Sequence, residues 1–206
     1  MKNQPNQPNQ WSILSFIKLT FIMAINLQKG QKQSLQGLSK IKIGLGWNPN
    51  AGTGAQFDLD ASAFMLNANR KTPSDEHFIF YNNVLSPDGA VEHQGDNQDG
   101  EGDGDDEVIA IDLNKVGSAV QEIVFCVTIH DAIDRKQNFG QVRNSYIRIV
   151  DDSNGTEIMN YELDEDFSIE ASVEFGRLYL HKNEWKFEAS GIGYKEELGF
   201  FLSRYC

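Results

Sequence analysis

Residues 40–47 read KIKIGLGW and residues 57–66 read FDLDASAFML. In the first stretch Ile41, Ile43, Leu45 and Trp47 recur at every second position. In the second, Phe57, Leu59, Ala61, Ala63 and Met65 do the same. A period of two is strand periodicity, because successive side chains leave opposite faces of a sheet, so each stretch presents one apolar face to a core. The intervening NPNAGTG (48–54) is a cluster of turn formers. Working outward, short runs of the same kind recur at 77–81, 108–113, 123–129, 146–150, 157–163, 169–180 and 185–189, with Gly, Asn and Asp between them. Only 113–120 and 131–139 offer brief helical turns, and neither carries an apolar stripe. Eight or more short strands punctuated in this way predict an all-β fold, an antiparallel β-sandwich with short helical turns. No period of about 20–50 residues signals a solenoid or propeller.

The chain has 206 residues, 40% of them apolar and 23% charged, which suits one globular domain with a core. Its formal net charge of −12 is distributed unevenly. Between Thr72 and Asn114 there are twelve Asp or Glu residues and no Lys or Arg, so this one window carries the whole excess. Such a field repels phosphate backbones and attracts cations, which argues against nucleic acid as a partner. Two cysteines are too few for a disulfide framework; Cys126 lies in an apolar strand and reads as inert core. Residues 1–10 are rich in Asn, Gln and Pro and predict no element. Residues 11–23, WSILSFIKLTFIM, are apolar apart from Ser, Thr and Lys18, yet shorter than the ~20 residues a span needs. They read either as a signal-peptide core without a small-residue cleavage site or, preferably, as sequence upstream of a domain start at Met23. The expected organisation is therefore an extension over 1–22, disordered or translated from an upstream start, and a β-sandwich domain over 23–206.

Chemistry concentrates in three places. Residues 95–107, GDNQDGEGDGDDE, hold seven carboxylates and four glycines. Carboxylates this dense repel one another, and folding them together is unfavourable unless a cation neutralises them. Glycine admits positive φ, which lets carboxylates and carbonyls converge, and calcium accepts six to eight oxygen ligands in flexible geometry. The loop is not an EF-hand: counted from Asp99, the twelfth position is Ala110, where a bidentate Glu is required. The second place is Asp58 and Asp60, two apart on a strand and so on one face. The third is Tyr81-Asn82-Asn83, whose Asn oxygens suit calcium and equally suit a turn. His77, His93, His130 and His181 show no ligand spacing and read as surface or structural. Gly44, Gly46, Gly52 and Gly54 form no phosphate loop, since no Gly-Lys-Ser/Thr follows.

The strings FDLDASAFML, FYNN, SPDGAVEHQGDN, GEGDGDDE, VTIHDA, RKQNFGQVRNSYIRIVD and EWKFEASGIGY, in this order, resemble the TerD family of tellurite-resistance and stress-response proteins from Met23 to about Tyr194. The resemblance implies a β-sandwich that binds calcium, usually two ions, in bacterial stress-response operons. It implies a cytoplasmic location peripheral to the inner membrane, and other stress-operon proteins as partners, a membrane partner among them. Carried over position by position, it makes Asp58, Asp60, Asn82, Asn83, Asp96, Asp103, Asp105, Asp106 and Glu107 the metal-site residues, with the backbone carbonyl of Gly100 as a further donor. The ending LGFFLSRYC (198–206) departs from the family pattern and leaves the last element open between strand and helix. The function expected is a calcium-ordered, non-enzymatic interaction module in chemical-stress resistance. The alternative is a metal-dependent hydrolase acting on a phosphorylated or small-molecule substrate, which needs a metal with an open position and a nearby base.

Overall fold

The computed structural model describes residues 25–26, 28–102, 104–163 and 167–206; the expected extension over 1–22 and the site residue Asp103 lie outside the described residues. Two sheets pack face to face. One holds six strands in the order β1 (Ile25–Asn26), β10 (Thr156–Glu162), β9 (Tyr146–Asp151), β3 (Lys40–Gly46), β7 (Glu107–Asp112) and β6 (Val91–Gln94). The other runs β2 (Lys32–Ser34), β12 (Glu184–Glu188), β11 (Ser172–His181), β8 (Glu122–Ile129), β4 (Leu59–Leu66) and β5 (Phe78–Ile79), with β13 (Ile192–Tyr194) also on β11. Every pairing among the described strands is antiparallel except β1 with β10. The expected antiparallel β-sandwich is the observed fold.

The alternation that predicts the strands also builds the core. Ile41, Ile43 and Leu45 of β3 and Ile109 and Ile111 of β7 meet Leu59, Ala61, Ala63 and Met65 of β4 and Phe125 and Val127 of β8, all buried. Because β4 lies in the second sheet and is covered on both sides, its other face is buried too. Phe64 and Leu66 there join Phe78, Val124 and Cys126 beneath a C-terminal helix, α2 (Leu198–Tyr205). Leu198, Phe201, Leu202 and Tyr205 recur at the i, i+3, i+4, i+7 spacing of an amphipathic helix. Phe201 and Tyr205 are buried, and the Tyr205 hydroxyl donates to Glu174 Oε2 at 2.7 Å, satisfying a carboxylate buried in the sheet. The open ending is thus a helix. Residues 113–120 form turns instead of the helix their sequence allowed, and 131–139 yields one short helix, α1 (Ala132–Arg135). Among the described residues no helix is long and apolar enough to cross a membrane.

Candidate metal centre

The side chains that matter sit at one end of the sandwich, where β7 begins and β4 passes. In β7 the inward positions are Glu107, Ile109 and Ile111, so strand geometry directs a carboxylate where an apolar residue is expected. Glu107 is 1% exposed. It reaches the neighbouring sheet: β5 pairs with β4 only through Ala63 and Phe64, and the Ala61 N–H on that open edge donates to Glu107 Oε2. The other oxygen, Oε1, is buried with no hydrogen-bond partner among the described residues. A buried carboxylate oxygen left unpaired is costly, so it marks a place where a cation or donor is expected.

Asp60 projects from the face of β4 opposite Leu59 and Ala61 and is 6% exposed. Asp96, exposed, enters from the loop after β6, turned by Gly95 at φ +102°. One oxygen each from Asp60, Asp96 and Glu107 lies within 4.8 Å of the others. Burial, then the charges of Glu107, Asp58 and Asp96, push the Asp60 carboxyl up to about 8. Burial likewise lifts Glu107 against the opposing influence of His93 and the Ala61 N–H. The cluster therefore holds more carboxylate than its own surroundings neutralise, and its donor set is all oxygen. Those are the properties a hard cation such as calcium requires, and the residues present fit that ion.

The other expected residues are arranged differently. Asp58 lies beside the cluster, but its Oδ2 is 3.6 Å from Arg135 Nη1. Asn83 spends its amide on the Phe78 and Glu76 carbonyls at 2.6 and 3.2 Å, holding the 76–83 turn, and Asn82 is exposed. Burial, then the charges of Asp60, Asp96 and Asp58, raise the phenol of Tyr81 beside them. Asp105 points away, onto the outer face of the first sheet, where Arg148 grips it through Nε at 2.8 Å and Nη2 at 3.1 Å. Asp106 accepts the Trp47 N–H at 2.9 Å and the Asn97 amide at 2.8 Å. Asn97 also accepts the Asp99 and Gly100 N–H groups and is the organiser of the loop. Gly100, at φ +72°, packs against Trp47; a Cβ there would lie 2.5 Å from the indole nitrogen, so the loop closes only over glycine.

Two residues read from the sequence as surface or structural also border the site. His93 is 5% exposed on the inward face of β6, with Nε2 3.6 Å from Glu107 Oε2, longer than a hydrogen bond. His130 Nδ1 is 3.5 Å from Asp60 Oδ2. The alternation Val91, His93 against Glu92, Gln94 is the signal that turns His93 inward, in a run too short to read as a strand.

Fold and site together define a β-sandwich with a buried, under-neutralised carboxylate cluster between one sheet edge and an acidic loop. The TerD domain family matches residues 23–205, and the chain belongs to that family. It is 49% identical to tellurium resistance protein TerD of Serratia marcescens over 187 residues, covering 89% of this chain and 97% of that protein. It is 47% identical to general stress protein 16U of Bacillus subtilis (strain 168) over 188 residues, 89% of this chain and 97% of that one. The crystal structure of a telluride resistance protein homologue from Streptomyces coelicolor A3(2) superposes with a TM-score of 0.69 at 17% identity, over 80% of this chain and 95% of that one, and shares the fold. Its relatives make a role in resistance and stress the family's common ground.

Proposed function

We propose that the chain is a calcium-ordered interaction module of chemical-stress resistance, acting without catalysis, with Asp60, Asp96 and Glu107 holding the ion. The observation that carries this reading is Glu107 Oε1, buried and unpartnered inside a group of three carboxylates. Calcium bound there supplies positive charge that the surrounding side chains lack. Glu107 stays fixed by the Ala61 N–H on β4, and Asp60 stays fixed by the β4–β8 pairing. Asp96 comes from the loop after β6 and is exposed, so its engagement ties the start of that loop to the sandwich beside the part that Asn97 and Gly100 already hold there. The loop surface so ordered is where a protein partner from the same stress response docks. The relatives' names as resistance and stress proteins support the biological setting.

Calorimetric titration of the full chain with calcium and magnesium tests the reading. Magnesium demands near-ideal octahedral geometry and dehydrates reluctantly, whereas a glycine-spaced loop is pliant, so calcium should bind at least about tenfold tighter, roughly 1.4 kcal/mol. Equal affinities, or no heat from either ion, sink the proposal.

A further inference from the structure

A groove of about 450 Å³ lies between the 50–57 loop and the segment from α1 to β9, next to the carboxylate cluster but chemically its opposite. Three of its lining residues are cationic, Arg135, Lys136 and Arg143, and none is acidic. The carboxylates facing Arg135 are Asp58 at 3.6 Å and Asp131 at 3.9 Å. Among the described residues, Lys136 and Arg143 have no carboxylate within 4.0 Å. On a chain of net charge −12, a groove lined by three cations, two of them with no carboxylate within 4.0 Å among the described residues, forms a local exception.

The backbone fixes this exception in place. Lys136 takes the left-handed conformation that ends α1, at φ +56°, and the chain turns there into the groove wall. Among the described residues Arg143 is anchored along the rim through Nη1, which donates to the Gly140 and Val142 carbonyls at 2.9 and 3.3 Å. Gln137 ties the two walls together, its Nε2 donating to the Ala55 and Gln56 carbonyls at 2.9 and 3.2 Å. These two bonds settle which end of the amide is nitrogen. They leave Gln137 Oε1 buried with no donor among the described residues.

We infer that this groove binds a small phosphomonoester that carries hydroxyl groups, such as a sugar phosphate. A phosphomonoester bears close to two negative charges at neutral pH, and guanidinium forks match its oxygens. The unpartnered Gln137 Oε1 asks for a donor, which phosphate alone supplies poorly and an adjacent hydroxyl supplies well. The volume is that of a small-molecule site. Phe57, buried at the base, gives the carbon skeleton an apolar floor. Arg135 contacts both the groove and Asp58, so an anion bound here competes with Asp58 for the same guanidinium.

The test is titration of the full chain, in buffer stripped of metal over a chelating resin, with ribose 5-phosphate, inorganic phosphate and ribose, followed by amide NMR shifts. Ribose 5-phosphate should saturate shifts at residues 54–57 and 135–143 with a dissociation constant below about 1 mM, and the other two should bind at least about tenfold more weakly. Lys136→Gln with Arg143→Gln, both exposed and outside the core, should weaken ribose 5-phosphate at least about tenfold while leaving the remaining spectrum unchanged. No saturation by about 10 mM, shifts confined to other residues, or an unaltered affinity in the double variant overturns the inference. Equal binding of phosphate and ribose 5-phosphate overturns it as well, since the groove is then a plain anion patch.

Discussion

Asp105 and Glu107 are two residues apart in one acidic run, yet they meet opposite environments. Asp105 lies across Gly44 on the outer face of the first sheet, where a Cβ would overlap its carboxylate, and Arg148 holds both its oxygens. Glu107 turns inward, accepts a backbone N–H at one oxygen and keeps the other buried with no hydrogen-bond partner among the described residues. Asp106 between them is satisfied by Trp47 and Asn97. The difference teaches that the number of carboxylates in a loop does not define a cation site. What singles out a candidate is the buried oxygen that has no hydrogen-bond partner among the described residues.

The sharpest break of this comparison is thermal. In calcium at about 100 times its dissociation constant, one site adds roughly 2.7 kcal/mol of stability, which for a domain of this size raises the melting temperature by about 5–10 °C. Glu107→Gln should abolish that increment. Scanning calorimetry in excess calcium and in chelator, on parent and variant, measures it; an increment that survives the substitution removes Glu107 from the site.

The same cluster reverses the usual pH dependence when no metal is present. Asp60 titrates near 8 when folded and near 3.8 when unfolded, so between those values the folded chain holds a proton that the unfolded chain has released. Stability should therefore fall as pH rises from about 5 to 8, and Glu107, Asp58 and Asp106, all raised chiefly by burial, act in the same sense. Asp88, Asp151 and Glu170 are held low, by hydrogen bonds to hydroxyl and backbone donors that outweigh burial. Their contribution is present above the ordinary carboxylate range and disappears as pH falls through their folded values. Thermal unfolding across this window should thus show an optimum near pH 5 without metal, and a flattened or inverted slope in excess calcium, which needs ionised ligands. A metal-free chain that grows steadily more stable up to pH 8 contradicts the cluster's electrostatics.

Asp105→Asn should cost about 1–2 kcal/mol, because it removes charge-assisted bonds to Arg148 in a partly exposed setting. The calcium increment should remain. If calcium no longer stabilises this variant, the separation between the two carboxylates fails. The smallest effect belongs to Lys42→Gln, which breaks a half-exposed 2.8 Å ion pair with Asp152 in the turn after β9. A change under about 0.5 kcal/mol is expected, and it sets the scale of an ordinary surface pair.

The sandwich was legible because β3, β4, β7, β9 and β11 carry enough alternation to declare a face and β8 is a short continuous apolar run between turn residues. β1, β2 and β13 span two or three residues, too few for any period, and exist through their partners. α2 shows its apolar stripe over only eight residues, and its partner face on Phe64, Phe78 and Val124 is distant in sequence. In the site, the residue types and the window were legible, but the division of labour among Asp105, Asp106 and Glu107 was not. That division depends on cross-strand register, with Arg148 opposite Gly44 and Leu45 opposite Glu107. The glycines at 44 and 46 were the available signal: in a strand interior they mark a close approach, here by Asp105 and by the ring of Tyr146.

The pairing of β2 with β12 joins Ser34 to Lys186 at an outer edge of the second sheet. During synthesis at about 5–20 residues per second, the earlier strand waits roughly eight to thirty seconds before its partner leaves the ribosome. β1 waits similarly for β10, whose Met159 it must meet. Until α2 arrives, later still, Phe64, Phe78 and Val124 have no cover. The nascent chain thus passes through a prolonged interval with unpaired edges and an uncovered aromatic face, which makes its birth, more than its mature state, the stage at which its sticky surface is most exposed.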